Sequence, residues 1–171
     1  MAFNKYFTSL VLVLVSLTTL SCSKENEEYA VNKTNLSERY QLISVEGKRE
    51  ETVSLNGSPT NKVTTSISDS VDNAFTTFSL DNTAVSTGSI NLSYAAVVDG
   101  VTTTSTATIA LDFNGIYTVV GNDTDLTTSA GGLVFIKELT AKSLTLHVVD
   151  LPRNIGDDFV EGNTSYKFIK L

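Results

Sequence analysis

Apolar and polar residues alternate along this chain, and the alternation is sharpest between Gly88 and Phe113. Ile90, Leu92, Tyr94, Ala96 and Val98 share one parity, while Ser89, Asn91 and Ser93 take the other. After Asp99-Gly100 the pattern resumes. Val101, Thr103, Ser105, Ala107, Ile109, Leu111 and Phe113 fall on one face, and Thr102, Thr104, Thr106 and Thr108 on the opposite face. A period of two is the mark of a strand with one buried side. Asp-Gly is a favoured two-residue hairpin loop because both positions tolerate positive φ. With that turn, Val98 pairs with Val101, Leu92 with Ala107 and Ile90 with Ile109, while Asn91 meets Thr108 and Ser93 meets Thr106. Turn chemistry and the two periodicities predict the same register. It places Ile90, Leu92 and Tyr94 in the core, across from Ile109, Ala107 and Ser105.

The remaining elements follow from shorter alternations and turn signals. Arg39–Val45 is predicted as a strand, followed by polar material at Gly47–Val71 with a hairpin around Asn56-Gly57. Ala74–Leu80 is the next strand, and Asp81-Asn82 turns into the long hairpin. Phe113 leads through Asn114-Gly115 into a strand at Ile116–Val120. Gly121–Gly132 reads as a loop, and Leu133–Leu139, Leu144–Val149 and Ser165–Leu171 as strands. Amphipathic helical spacing is missing throughout the body. About eight antiparallel strands joined by short turns predict an all-β fold, an up-and-down barrel rather than a sandwich.

The first residues follow a different pattern. Met1–Ser21 has the three parts of a secretory signal: Lys5, an apolar run from Leu10 to Leu20, and small residues before the cut. That run is about half of the ~20 residues a spanning helix needs. Cys22 is the only cysteine, and Thr19-Leu20-Ser21-Cys22 looks like a lipobox, with Leu one position late. The expectation is cleavage before Cys22, lipidation at Cys22 and a membrane held through the acyl chains. Ser23-Lys24-Glu25-Asn26-Glu27-Glu28 resembles the surface-export signal of Bacteroidetes lipoproteins, with Ser23, Lys24, Glu25, Glu27 and Glu28 carrying it. The chemistry alone also fits a solvated tether. Residues 22–35 are expected as a flexible stalk reaching up to ~45 Å at ~3.5 Å per residue, and 36–171 as one domain.

Composition narrows the function classes. The chain has 12 basic and 19 acidic side chains, a net charge of −7. Losing Lys5 leaves 11 against 19, or −8. Such a surface repels phosphate backbones and argues against nucleic-acid partners. One cysteine and one histidine allow neither a disulfide nor a cysteine/histidine metal set. His147 with Ser143 and Asp150 would lie along one strand, where the geometry for a catalytic triad is poor, so a surface histidine and a non-catalytic domain are expected. Asn122-Asp123-Thr124-Asp125 and Asp157-Asp158 with Glu161 are acidic loops without the spacing of a calcium loop. Gly131-Gly132 is not followed by the Lys-Ser/Thr of a phosphate loop. No metal and no cofactor is expected. Asn32, Asn35 and Asn91 head N-glycosylation patterns, which a bacterial chain gives no obvious use, and Asp69-Ser70-Val71 resembles an O-glycosylation sequon of Bacteroidetes. Phe75, Phe78, Tyr94, Phe113, Phe135, Tyr166 and Phe168 sit mostly at apolar-parity positions, as cavity lining or as core filling.

Three segments carry a family resemblance: Phe113-Asn114-Gly115-Ile116-Tyr117-Thr118, Glu138-Leu139-Thr140-Ala141-Lys142-Ser143-Leu144-Thr145-Leu146, and Ser165-Tyr166-Lys167-Phe168-Ile169-Lys170-Leu171. With the strand just after the stalk, they resemble the lipocalin-like lipoproteins of Bacteroidetes over roughly Leu36–Leu171. That family usually places Trp in its first strand, where this chain has Tyr40. The resemblance implies a lipocalin-like barrel on the outer membrane, at the cell surface, binding a small hydrophobic molecule or a lipid. An accessory or structural subunit of an outer-membrane or cell-surface complex is the alternative. A glycan-binding adhesin is a third, weakened by the absence of Trp for sugar stacking.

Overall fold

A computed structural model describes residues 27–119, 125–126, 133–155 and 158–171, with backbone only at 125–126, 151–155 and 158. The predicted signal peptide lies outside the described residues, as do Cys22, Ser23, Lys24, Glu25, Asp123, Asp157 and most of the predicted loop 121–132.

The long hairpin has the predicted register. β3 (Thr83–Val98) and β4 (Val101–Ala110) pair without a break from Val98 with Val101 to Ser89 with Ala110. Asp99 and Gly100 both have positive φ, 49° and 76°, as a primed two-residue turn requires. Asn56 and Gly57, at 53° and 82°, make a second such turn. It joins β1 (Arg39–Leu55) to β2 (Ser58–Phe78), so the polar stretch Gly47–Val71 belongs to two long strands. Thr-rich and Ser-rich alternation suffices for strands whose neighbours supply every ladder bond.

β5 (Gly115–Ile116), β6 (Asp125–Leu126), β7 (Leu133–Leu139), β8 (Ser143–Ile155) and β9 (Asp158–Lys170) complete the sheet. Its order is β4-β3-β2-β1-β9-β8-β7-β6, antiparallel throughout, with β5 pairing back onto β3. The expected all-β up-and-down architecture is the one observed, and it is barrel-like. The sheet curls because β-bulges bend its long strands, at Leu42/Ser44 in β1, at Ser68/Ser70 and Asp72/Phe75 in β2, and at Asp150/Arg153 in β8. The curl brings Phe113, just beyond β4, edge-on to Tyr166 and Phe168 of β9, at centroid distances of 5.0 and 6.2 Å. Gly88 marks the tightest point. Its φ is +93°, and a Cβ there would lie 2.3 Å from the carbonyl oxygen of Asn73, so only glycine fits.

The core gathers at one end of the curl around Tyr40, Leu42, Phe78, Ile90, Leu144 and Phe168. Tyr40, Phe78 and Tyr117 stack edge to face, at 6.1 and 5.3 Å. The strand expected at Ile116–Val120 is reduced to Gly115–Ile116, and Asp158 and Glu161, expected in an acidic loop, lie in β9. Two larger expectations also need correction. β4 was expected to bury its Val101–Ile109 face, yet every residue of β4 except the half-buried Ile109 is exposed, because the hairpin runs past the core. The stalk was expected to run free to Asn35, yet it is docked from Glu28. Glu28 bridges to Thr140, and the Tyr29 amide donates to the Leu139 carbonyl at 2.6 Å. A short helix, α1 (Lys33–Leu36), is capped by Asn32, whose side chain accepts from the Asn35 amide. Its Leu36 is 0% exposed, so burial of one leucine anchors the segment.

Candidate functional site

On the concave face the core gives way to a polar cleft. Leu42, Tyr40 and Phe168 fill the packed end. The bulge at Leu42/Ser44 shifts the parity of β1, so that Val45, Gly47 and Arg49 follow onto the same face. Opposite them in β9 stand Tyr166, Thr164 and Gly162, and in β2 Gly47 and Arg49 face Ser66 and Thr64. β3 brings Leu92 and Tyr94, β4 brings Ile109, and β8 brings Asp150 across from Gly162. From Val45 and Arg49 on β1 to Tyr166 on β9, and with Lys48 and Asn163 beside them, these side chains line an open cleft of about 200 Å³.

Two glycines shape it. A Cβ on Gly47 would sit 2.6 Å from Ser66 Oγ and 3.0 Å from Thr164 Oγ1, so its absence lets both hydroxyls converge over β1. A Cβ on Gly162 would sit 3.1 Å from Asp150 Oδ2, so the carboxylate lies over bare backbone. Interior strand glycines usually mark a close approach of this kind.

The charges divide into committed and uncommitted ones. Glu51 accepts a hydrogen bond from Lys62 and an ion pair from Arg49 Nη2 at 3.3 Å. The Lys62 hydrogen bond is the chief reason that the Glu51 carboxyl is held below the usual glutamate range. Lys48 pairs with Glu50. Asp150 makes no hydrogen bond or ion pair among the described residues, and neither do the hydroxyls of Tyr94 and Tyr166. Burial, then the neighbouring Tyr94 and Asp150, raise the Tyr166 phenol above its ordinary value. The floor (Val45, Leu92 and Ile109) is apolar. Unpaired polar groups above an apolar floor suit reversible binding.

The outer surface carries two shallower hollows. One, of about 500 Å³, opens on the flat sheet between Ile67, Ser93 and Thr106 and holds no charge. The other, of about 280 Å³, lies between Lys48, His147 and Glu161 and shares Asp150 with the cleft. Neither reaches the core.

Other residues singled out in the sequence are dispersed. Ser143 Oγ contacts Thr140 Oγ1 at 2.8 Å and His147 Nδ1 contacts Ser165 Oγ at 3.1 Å, so Ser143, His147 and Asp150 do not assemble. Among the described residues no three His, Cys, Asp or Glu side chains converge as metal ligands. Glu27 and Glu28, of the export cluster, are exposed. Phe78, Phe113 and Phe168 are core, and Tyr94 and Tyr166 line the cleft. Asn91, Ser70, Asp72 and Thr108 form a hydrogen-bonded ladder on the outer face. Sequence reading missed Gly47, Arg49, Ser66, Gly162 and Thr164.

No family model, curated protein or solved structure matches the chain.

Proposed function

We propose that the chain is an exported lipoprotein, cut before Cys22, lipidated there and held on the outer membrane with its domain at the cell surface. The barrel-like domain then acts as a non-catalytic, lipocalin-like binding module, with the concave cleft as its site. The observation that carries the binding reading is the convergence of the Tyr94 and Tyr166 hydroxyls and the Asp150 carboxylate, none with a partner among the described residues, on a cleft at the end of the core. Drug-sized sites run to roughly 300–1,000 Å³. At about 200 Å³ the cleft suits a compact molecule with an apolar body, and a whole acyl chain would protrude. The leader, the sole cysteine at its end and the acidic cluster after it support the address.

A second reading, an accessory subunit of an outer-membrane or cell-surface complex, is favoured by β4. This terminal strand has 10 residues without charge, proline or bulge. Edge strands usually carry such guards, and a bare edge is a template for strand addition.

Native mass spectrometry of the detergent-extracted protein separates the two. A bound small molecule supports the first reading, and stoichiometric partner chains without ligand overturn it. The address is tested by Cys22→Ser, which should move the protein out of the membrane fraction. Mutant protein retained there after a high-salt wash overturns the lipid anchor.

A further inference from the structure

Building on that cleft, we propose that it selects ligands with a positively charged amino group, and that Asp150 is the residue that binds the charge.

Among the described residues the cations near the cleft already have partners. Arg49 and Lys62 share Glu51, and Lys48 is held by Glu50. Asp150 is the lining charge left without one among the described residues. Its position is prepared: Gly162 beneath it leaves the carboxylate uncrowded, where any side chain would press on Oδ2 from 3.1 Å. Asp150 stands close enough to Tyr166 to act on its phenol, as Tyr94 does, and both tyrosines line the cleft with it. Each tyrosine offers a hydroxyl, without a partner among the described residues, that can accept from an ammonium N–H, and an electron-rich ring of the kind that attracts cations. Val45, Leu92 and Ile109 would pack against the apolar body behind the amine. The excess of acidic over basic side chains in the whole chain, 19 against 12, draws cations toward the domain and repels anions. An anionic ligand would have to displace Glu51 from Arg49 and would meet Asp150 as well.

The test is calorimetry on the full lipidated protein in a non-ionic detergent, with empty micelles as blank. The probes are 2-phenylethylamine, 2-phenylethanol and phenylacetate, three molecules of similar size that are cationic, neutral and anionic. The amine should bind about tenfold or more tightly than the alcohol, a ratio that falls with added salt, since charge-assisted hydrogen bonds exceed neutral ones by about that much. Asp150→Asn, nearly isosteric, should bring the amine down to the level of the alcohol. Glu161→Gln removes the same charge from the outer hollow and should change nothing. Equal binding of amine and alcohol to the wild type, or preference for phenylacetate, overturns the charge selectivity and leaves the small-molecule reading standing. Failure of all three probes to bind overturns both. The wild-type comparison decides even if Asp150→Asn fails to fold.

Discussion

Ile90 and Ile109 face each other across the long hairpin, yet their burial differs, and that difference sets a measurable order of stability loss. Ile90 is 0% exposed, and Ile109 is only half-buried against the same core. Ile90→Ala removes three buried carbons. At ~0.8 kcal/mol each their transfer is worth about 2.4 kcal/mol. A residual cavity of ~60 Å³ at ~24 cal/mol per Å³ adds about 1.4 kcal/mol, so the total is about 4 kcal/mol. Ile109→Ala removes the same atoms from a site with water on one side, and should cost about 1–2 kcal/mol. Thr106→Ala, on the exposed opposite face, should cost less than about 1 kcal/mol. Urea melts of the three variants check the order through the midpoint, with an unchanged slope showing that the unfolded state is not the cause. A one-residue slip of the pairing exchanges the faces. If Thr106→Ala proved the most damaging change, the register and the core built on it would be wrong.

Replacing Lys24, Glu25, Glu27 and Glu28 with Ala should leave the protein lipidated but facing the periplasm; equal protease shaving of mutant and wild type on intact cells would reduce the cluster to a tether. Alkaline stability follows from Tyr40, whose phenol is pushed above its ordinary value mainly by burial, then by Glu38 and Tyr117. The unfolded chain releases that proton near pH 10 while the folded one keeps it, so the contribution is complete below pH 10 and is lost as pH rises from there toward the folded value. Tyr40→Phe should flatten that decline in melts between pH 9 and 11, at the cost of one long hydrogen bond to the Asn35 carbonyl; an unaltered slope would remove Tyr40 from the account.

The fold was legible where a local rule fixes geometry. Asp99-Gly100 and Asn56-Gly57 can close only tight turns, and each turn sets the register of the strands beside it. What was hidden is how far a strand runs beyond its core. Thr102, Thr104 and Thr106 alternate with Val101, Thr103 and Ser105 as they would in a buried strand, but the curl ends near Ile109 and leaves them all in solvent. Periodicity records which side a residue faces and not whether anything covers that side. The docking of Glu28–Leu36 was hidden for a related reason. One buried leucine and a few backbone bonds suffice to pin the segment, and a polar composition conceals both.

The cleft shows the same limit more sharply. Strict alternation from Tyr40 and Leu42 puts even-numbered residues of β1 inside, and so assigns Gly47 and Arg49 to the outer face. The bulge at Leu42/Ser44 reverses that parity. Paired Ser68/Ser70 and Asp72/Phe75 bulges do the same along β2, where Thr64, Ser66 and Ser68 face inward and then Val71 does. Bulges carry no reliable single-residue signature, so an alternation count crosses them unaware. In the sequence Asp150 stands out only as a residue on the same strand as His147 and Ser143, poorly placed for a triad. Its place in the cleft depends on lying over Gly162, a neighbour on another strand that no sequence spacing brings near it. The residues that pack the barrel obey a short-range code of turns and periods. Those that line its cleft are assembled by the irregularities of that code.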